Sequence, residues 1–189
     1  MSRLVANALE SKVGDMTAAT AIITIGTNFP DAIGVSPLAC SQLWPVILTD
    51  SPTNAALHAS AAGALADLGI TKALKVGTYA TLPGTVAGLA NLSGADRYVT
   101  NTNVAAWAKA NAGLSFMHTG IATGDKFPDA LASGPYLAKD DGILLLSPLA
   151  GPLPPSAGAL ITANAIAVQH VTFIAMIEPV IGQVKALLP

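Results

Sequence analysis

The stretch GTNFPDAIGVSPLA, from Gly26 to Ala39, returns in similar form as GDKFPDALASGPYLA, from Gly124 to Ala138. The two stretches start 124 − 26 = 98 positions apart. Repetition at a fixed spacing is typical of one structural unit that is built twice. The sequence therefore predicts two similar units, residues 1–93 and residues 94–189, that follow one another without a linker.

Short apolar runs recur through both halves, and each run stops at a glycine or a small polar residue. Because these runs are continuously apolar and do not alternate with polar residues, they predict strands of parallel sheets that are buried on both faces. The predicted strands are Ala21–Gly26, Pro45–Asp50, Ala73–Gly77, Phe116–Gly124, Gly142–Ser147 and His170–Met176.

Longer amphipathic stretches separate these strands and predict helices. The predicted helices are residues 2–12, the two FPDA segments, Thr53–Leu68, Leu82–Leu92, Asn101–Ala112, Pro155–Ala165 and Val180–Leu188. Strands that alternate with helices indicate an α/β fold. We expect each unit to be a small, mostly parallel sheet flanked by helices, with Rossmann-like or Toprim-like layering.

Composition narrows the function classes. Charged residues make up 11% of the 189-residue chain, against about 25% in an ordinary soluble domain. Such a plain surface predicts a homo-oligomer, or a chain that packs against a further repeat. The net charge of −2 comes without a basic run, which disfavours a nucleic-acid partner.

The sequence gives little indication of a membrane span, a signal peptide or a reactive thiol. The most apolar stretch is interrupted by Asn164, Gln169 and His170, so no membrane span is predicted. The first residues carry charges where a signal peptide needs an apolar run, so the chain is cytosolic or is a fragment that lacks its export signal. Cys40 is the single cysteine and is predicted to be a buried, inert thiol.

In both copies of the FPDA motif the chain leaves a strand at glycine, passes two polar residues and opens a helix. The polar pairs are Thr27-Asn28 and Asp125-Lys126. Proline suits the first helical turn, and the aspartate suits the positive end of the helix. Phe29 and Phe127 are expected to fill the gap between helix and sheet. This position is also the carboxyl end of a parallel sheet, where α/β proteins bind ligands, so Asp31 and Asp129 either serve the fold or contact a ligand.

The stretch SGADRYVT, Ser93–Thr100, is a second candidate. Ser93 with Asp96 resembles a capping box, and Thr100 is placed to cap the next helix. Arg97 is predicted to pair with Asp96, Asp129 or Asp31, and a ligand contact is the alternative.

Evidence for catalysis is sparse. His58, His118 and His170 are scattered without metal-ligand spacing, Ser36 does not lie in a G-x-S-x-G elbow, and no phosphate-binding glycine motif is present. Asp140-Asp141 is read as a solvated turn. We expect neither a metal nor a cofactor.

Taken together, the two FPDA phrases, PVILTD and GADRYVT resemble the cell wall-binding repeat type 2 (CWB2) of Gram-positive surface proteins. By matching position, the family's shared residues are Phe29–Ala32, Phe127–Ala130, Gly94, Asp96, Arg97, Tyr98 and Thr100. The resemblance implies a non-catalytic anchor that binds an anionic wall polymer or polysaccharide at the cell surface, with tandem copies packed around a pseudo-threefold axis. This chain has two copies, and its second copy lacks glycine near Phe173–Ala175.

On this interpretation, the residues that bind the polymer or shape the grooves are Asn28, Asp31, Asp96, Arg97, Tyr98, Lys126 and Asp129. A structural oligomerisation platform is the first alternative, and a doubly wound small-molecule enzyme is the second.

Overall fold

A computed structural model describes residues 19–27, 29–50, 55–176 and 178–189, and for residues 127–129 it describes the backbone. The predicted helix at residues 2–12 lies outside this part of the chain. The fold divides into two compact units: the described residues up to Ala32 with residues 43–93, and residues 33–42 with residues 94–189. The predicted repeats share the break after Ser93, but residues 33–42 lie with the second unit, so the repeat boundaries stay a prediction.

The first unit contains a four-stranded sheet in the order β2-β1-β3-β4. Its strands are β1 (Thr20–Ile25), β2 (Val46–Thr49), β3 (Lys72–Val76) and β4 (Ala87–Leu92), and all adjacent pairs are parallel. Helix α1 (Phe29–Gly34) follows β1, and α3 (Ala59–Asp67) precedes β3. Helix α2 (Ser36–Gln42), which follows α1, belongs to the second unit.

The second unit contains a three-stranded parallel sheet in the order β6-β5-β7. Its strands are β5 (His118–Thr123), β6 (Ile143–Ser147) and β7 (His170–Ile174). The helices are α4 (Arg97–Asn111), α5 (Phe127–Ala138), α6 (Pro155–Ala163) and α7 (Glu178–Ala186), with a 3₁₀ turn at Ala165–Ala167. The predicted α/β fold of two small parallel sheets flanked by helices is confirmed.

The 98-residue spacing holds through both sheets. Strand β1 (Thr20–Ile25) corresponds to β5 (His118–Thr123), and β3 (Lys72–Val76) corresponds to β7 (His170–Ile174), each 98 positions later. Each centre strand is buried along nearly its whole length, as expected for a parallel strand covered on both faces. In the first unit a cluster of Ile23, Leu65, Leu68 and other apolar side chains fills the space between sheet and helix. In the second, Ala130, Leu137, Leu144 and Leu146 belong to the corresponding cluster.

The predicted helix at Leu82–Leu92 is wrong, because most of this segment forms strand β4. Two glycines, Gly84 and Gly88, fall inside it, and each costs about 1 kcal/mol in a helix relative to alanine. The edge of β3 offers backbone partners instead, and β4 pairs with it from Ala87 to Leu92.

Two side-chain expectations also differ from the structure. Cys40 is exposed; Leu38 of α2 is buried, and residues two apart do not share a helix face. Phe29 is 38% exposed, because it is the first residue of α1 and lies beyond the strand end. Helix α4 begins at Arg97, because Asp96 caps it.

Candidate functional site

In the second unit, the start of α4 and the turn after β5 meet at the carboxyl end of the sheet. We call Arg97, Tyr98, Gly124, Asp125 and Lys126 the carboxyl-end corner. Three of these residues were predicted from sequence as site residues: Arg97, Tyr98 and Lys126. Their meeting follows from the fold, since β5 ends at Thr123 and ligands bind parallel sheets outside this end.

Asp96 holds the first turn of α4. Its Oδ1 accepts hydrogen bonds from the backbone N–H groups of Tyr98 and Val99, both at 2.8 Å. Two otherwise unpaired helix donors are therefore satisfied by one carboxylate, which also suits the positive helix end. The Ser93 hydroxyl donates to Asn91 Oδ1 at 2.8 Å, and the capping box of Ser93 with Asp96 stays a prediction. Thr100 lies within the helix and accepts the Gly94 N–H at 3.0 Å.

Arg97 fastens the start of α4 to the turn after β5. Its Nη1 donates to the Gly124 carbonyl at 2.7 Å. A side chain at Gly124 would place Cβ 2.9 Å from the Tyr98 ring and 3.5 Å from Arg97 Cδ. The glycine of this turn is therefore needed for the close approach. An ion pair of Arg97 with one of the three candidate aspartates stays a prediction.

Asp125 connects three segments of the corner. Its Oδ1 accepts from the Tyr98 hydroxyl at 3.1 Å and its Oδ2 accepts from the Leu149 N–H at 2.8 Å. Its own N–H donates to Thr123 Oγ1 at 3.1 Å. Desolvation, followed by the charge and hydrogen bond of Asp125, raises the pKa of Tyr98 to about 12. The phenol is therefore a proton donor held in a fixed direction.

Lys126 precedes α5 and is exposed. It places a cation beside the corner at the start of the FPDA helix. Asp96 and Asp125 are also exposed, so both signs of charge meet here. Such a surface suits a ligand that carries anionic groups and hydroxyls, which use charged donors and carboxylate acceptors respectively.

Asp31 lies in the first unit and is 6% exposed. A Cβ at Gly77 would come 2.1 Å from Asp31 Oδ2, so the carboxylate lies against the backbone of the turn after β3. Gly77 has φ +64°, a conformation that glycine adopts at little cost. This burial suits a role of Asp31 in shaping the turn, and its contact with a ligand stays a prediction.

Two predicted site residues remain, and the structure describes only the backbone of one of them. Asn28 lies outside the described residues, and Asp129 is described by its backbone alone, within α5. Their roles stay predictions.

Sequence reasoning missed two polar residues that organise this region. Asp125 was noted only as one of two polar turn residues, although its position beside a strand-ending glycine could have marked it. Asn101 is 2% exposed, donates to the Leu144 carbonyl at 3.0 Å and accepts from the Leu146 N–H at 2.8 Å. Asn101 thereby provides hydrogen-bond partners for two backbone groups on the edge of β6. No sequence pattern indicated this role.

The first unit has a depression at the corresponding sheet end. Its volume is about 240 Å³, and it is lined by Gly26, Thr27, Leu48, Thr49, Asp50, His58 and Ser60. His58 caps α3, since its Nδ1 accepts from the Ser60 N–H at 3.3 Å. Both units therefore present polar side chains at the carboxyl ends of their strands.

Two observations bear on other function classes. Within the described residues, no group of three or more His, Cys, Asp or Glu side chains is arranged to hold a metal ion. No helix in that part of the chain is both long enough and apolar enough to span a membrane.

Comparisons with known proteins agree on one family and one fold. Residues 91–187 match the family model described as cell wall binding domain 2 (CWB2). No curated protein matches the sequence at a significant level.

Two solved structures share the fold. Cwp6 from Clostridium difficile is 22% identical with a TM-score of 0.77, over 99% of this chain and 30% of that one. Cwp8 from Clostridium difficile is 17% identical with a TM-score of 0.66, over 91% of this chain and 29% of that one. The chain thus spans about three tenths of the length of each.

Proposed function

Because the chain belongs to the cell wall binding domain 2 (CWB2) family, we propose that it is a non-catalytic anchor. It holds a surface protein on the cell wall of a Gram-positive bacterium by binding an anionic wall polymer. The family match carries this proposal, because residues 91–187 include the whole carboxyl-end corner.

The corner offers the chemistry for a polymer that carries both anionic groups and hydroxyls. Lys126 is an exposed cation, and the carboxylate of Asp96 remains at the surface while it caps α4. Tyr98 and Asp125 are fixed to each other, so little side-chain entropy is lost when a ligand contacts them. The depression of the first unit carries Asp50, His58 and Ser60 and supplies a second contact surface, which suits a polymer of repeating groups.

Other basic side chains are less suited to meet the polymer. Lys109 donates to Asn164 Oδ1 and lies 5.8 Å from the centre of the Phe116 ring. Lys75 donates to the Ala80 carbonyl at 3.3 Å. These bonds direct both ammonium groups toward the protein, which leaves Lys126 as the cation to test first.

Two exposed lysines flank the same helix and provide a matched pair of variants. Lys126 precedes α5 at the carboxyl-end corner, and Lys139 follows it at the opposite end. We expect Lys126→Gln to weaken retention on purified wall polymer about two- to fivefold, the range of one exposed charge contact. Lys139→Gln removes the same charge and should leave retention unchanged. Equal effects of the two variants would contradict a site at the corner, and no retention of any oligomeric form of the unaltered chain would contradict the function.

We also propose that the chain assembles with further copies or repeats. Leu131, Tyr136 and Ile166 are 55%, 48% and 97% exposed, and apolar side chains of this size are commonly covered in assemblies. Sedimentation equilibrium should give a mass above the 18.9 kDa of one chain. A monomer at all concentrations would contradict self-assembly and leave packing with a further repeat, which a tandem fusion of two chains would test by its melting temperature.

A further inference from the structure

Two histidines lie side by side on neighbouring strands of the second unit. His118 is the first residue of β5 and His170 is the first residue of β7, and they are register partners. Their ring centroids lie 5.4 Å apart, with the ring planes tilted by 52°. The pair therefore lies at the amino end of the sheet, whereas the carboxyl-end corner lies beyond the other end of β5.

Asp140 sets the orientation of one of the rings. Its Oδ2 is 2.9 Å from His118 Nδ1. When Nδ1 carries the proton and donates to the carboxylate, the Nε2 lone pair is left to accept or to bind a metal. Tyr136 contacts the His118 ring edge-on at a centroid distance of 5.7 Å, which further restrains the ring. A carboxylate behind an imidazole is the arrangement that orients metal-binding histidines.

The matching positions in the first unit carry different residues. Subtracting 98 from 118 and from 170 gives Thr20 and Lys72, which are register partners in β1 and β3. The same strand pair thus forms without histidine, so the fold does not require the imidazoles. This contrast points to a role for the pair other than folding.

We propose that His118 and His170 bind one divalent transition-metal ion of the kind that prefers imidazole, such as Zn²⁺, Ni²⁺ or Cu²⁺. A Zn–N distance of about 2.0–2.1 Å with a tetrahedral angle places two ring centroids roughly 5 Å apart, close to the observed 5.4 Å. Asp140 acts through His118 and is not a ligand itself. Two protein ligands leave open positions for water, which agrees with the finding that no three-ligand group exists in the described part of the chain.

The test is a calorimetric titration of the full chain with Ni²⁺ in a non-coordinating buffer at neutral pH. We expect one equivalent to bind to the unaltered protein. His118→Thr and His170→Lys install the residues that the first unit carries at these positions, and each should reduce affinity at least 100-fold without loss of the fold by circular dichroism. His58→Ala removes the third histidine and should leave the affinity unchanged.

Two further results separate a two-histidine site from adventitious binding. Asp140→Asn should weaken binding about 10- to 100-fold, as loss of an orienting carboxylate does, and Cu²⁺ bound to the unaltered chain should show two nitrogen couplings in its electron paramagnetic resonance spectrum. The proposal is overturned if the unaltered chain binds no Ni²⁺. It is also overturned if His118→Thr and His170→Lys bind as tightly as the unaltered chain, or if His58→Ala abolishes binding.

Discussion

Ala175 occupies a backbone conformation that favours glycine, and Ala175→Gly should stabilise the protein. Its φ is +53°, and the residue 98 positions earlier, Gly77, has φ +64°. The left-handed conformation costs an L-residue about 1–2 kcal/mol. Glycine removes that cost but adds about 0.4–1 kcal/mol of conformational freedom to the unfolded chain. The net gain is about 0.7 kcal/mol.

The assay is thermal and urea unfolding of the full chain, followed by circular dichroism. For a chain of this size, about 0.7 kcal/mol raises the melting temperature by about 2 °C. The mirror variant Gly77→Ala should have the opposite sign. Its Cβ would meet Asp31 Oδ2 at 2.1 Å and Cγ at 2.5 Å, so strain and overpacking together should cost about 2–4 kcal/mol.

The two variants test whether the left-handed backbone conformation after the strand favours glycine over alanine at both positions. A lower melting temperature for Ala175→Gly would refute the reasoning, because it would mean that the turn after β7 is not strained by alanine. A Gly77→Ala variant as stable as the unaltered chain would refute the close contact between Asp31 and the turn after β3.

Three other predictions concern the second unit. The pKa of Tyr98 should be about 12, above the usual value near 10. Because the pKa is raised in the folded state, the stability that the protonated phenol contributes is present below about pH 10 and is lost as the pH rises toward 12. Tyrosinate absorbance should show this, and Asp125→Asn should lower the Tyr98 pKa; an unchanged pKa would contradict the contact. Asn101→Ala should cost about 2–4 kcal/mol in urea unfolding because two buried backbone groups of β6 lose their partner, and a cost below about 1 kcal/mol would show that water replaces it. Gly134→Ala should cost about 1–3 kcal/mol, since its Cβ would lie 2.5 Å from Ser36 Oγ; an unchanged melting temperature would mean that α2 and α5 can separate.

The sequence predicted strands better than the ends of helices, and the reason is physical. A buried parallel strand needs a continuous apolar run, and the runs TAIITI and ILLLS therefore predict strands directly. A helix end depends on which side chain reaches the free backbone N–H groups. Asp96 takes that position in α4 and His58 takes it in α3, and a histidine cap lies outside the usual preference for Ser, Thr, Asp or Asn.

The error at β4 has a different origin. The two halves of the chain resemble each other, but in this segment their local residues differ. The first-half segment contains Gly84 and Gly88, whereas α7 contains one glycine, Gly182, together with Glu178, Gln183 and Lys185. Repeats share a fold where their apolar positions agree, and they diverge where glycine replaces helix-forming residues.

Site residues were predicted in proportion to how local their contacts are. Arg97 and Tyr98 could be placed together from the sequence because they adjoin a capping aspartate in one short motif, and their role in binding stays a prediction. The pairing of His118 with His170 could not be read from a separation of 170 − 118 = 52 positions, because it arises only when β5 and β7 become neighbours in the order β6-β5-β7. The same strand order brings Thr20 against Lys72 in the first unit, so one fold creates equivalent pairs and the side chains at those two positions decide what each pair can bind.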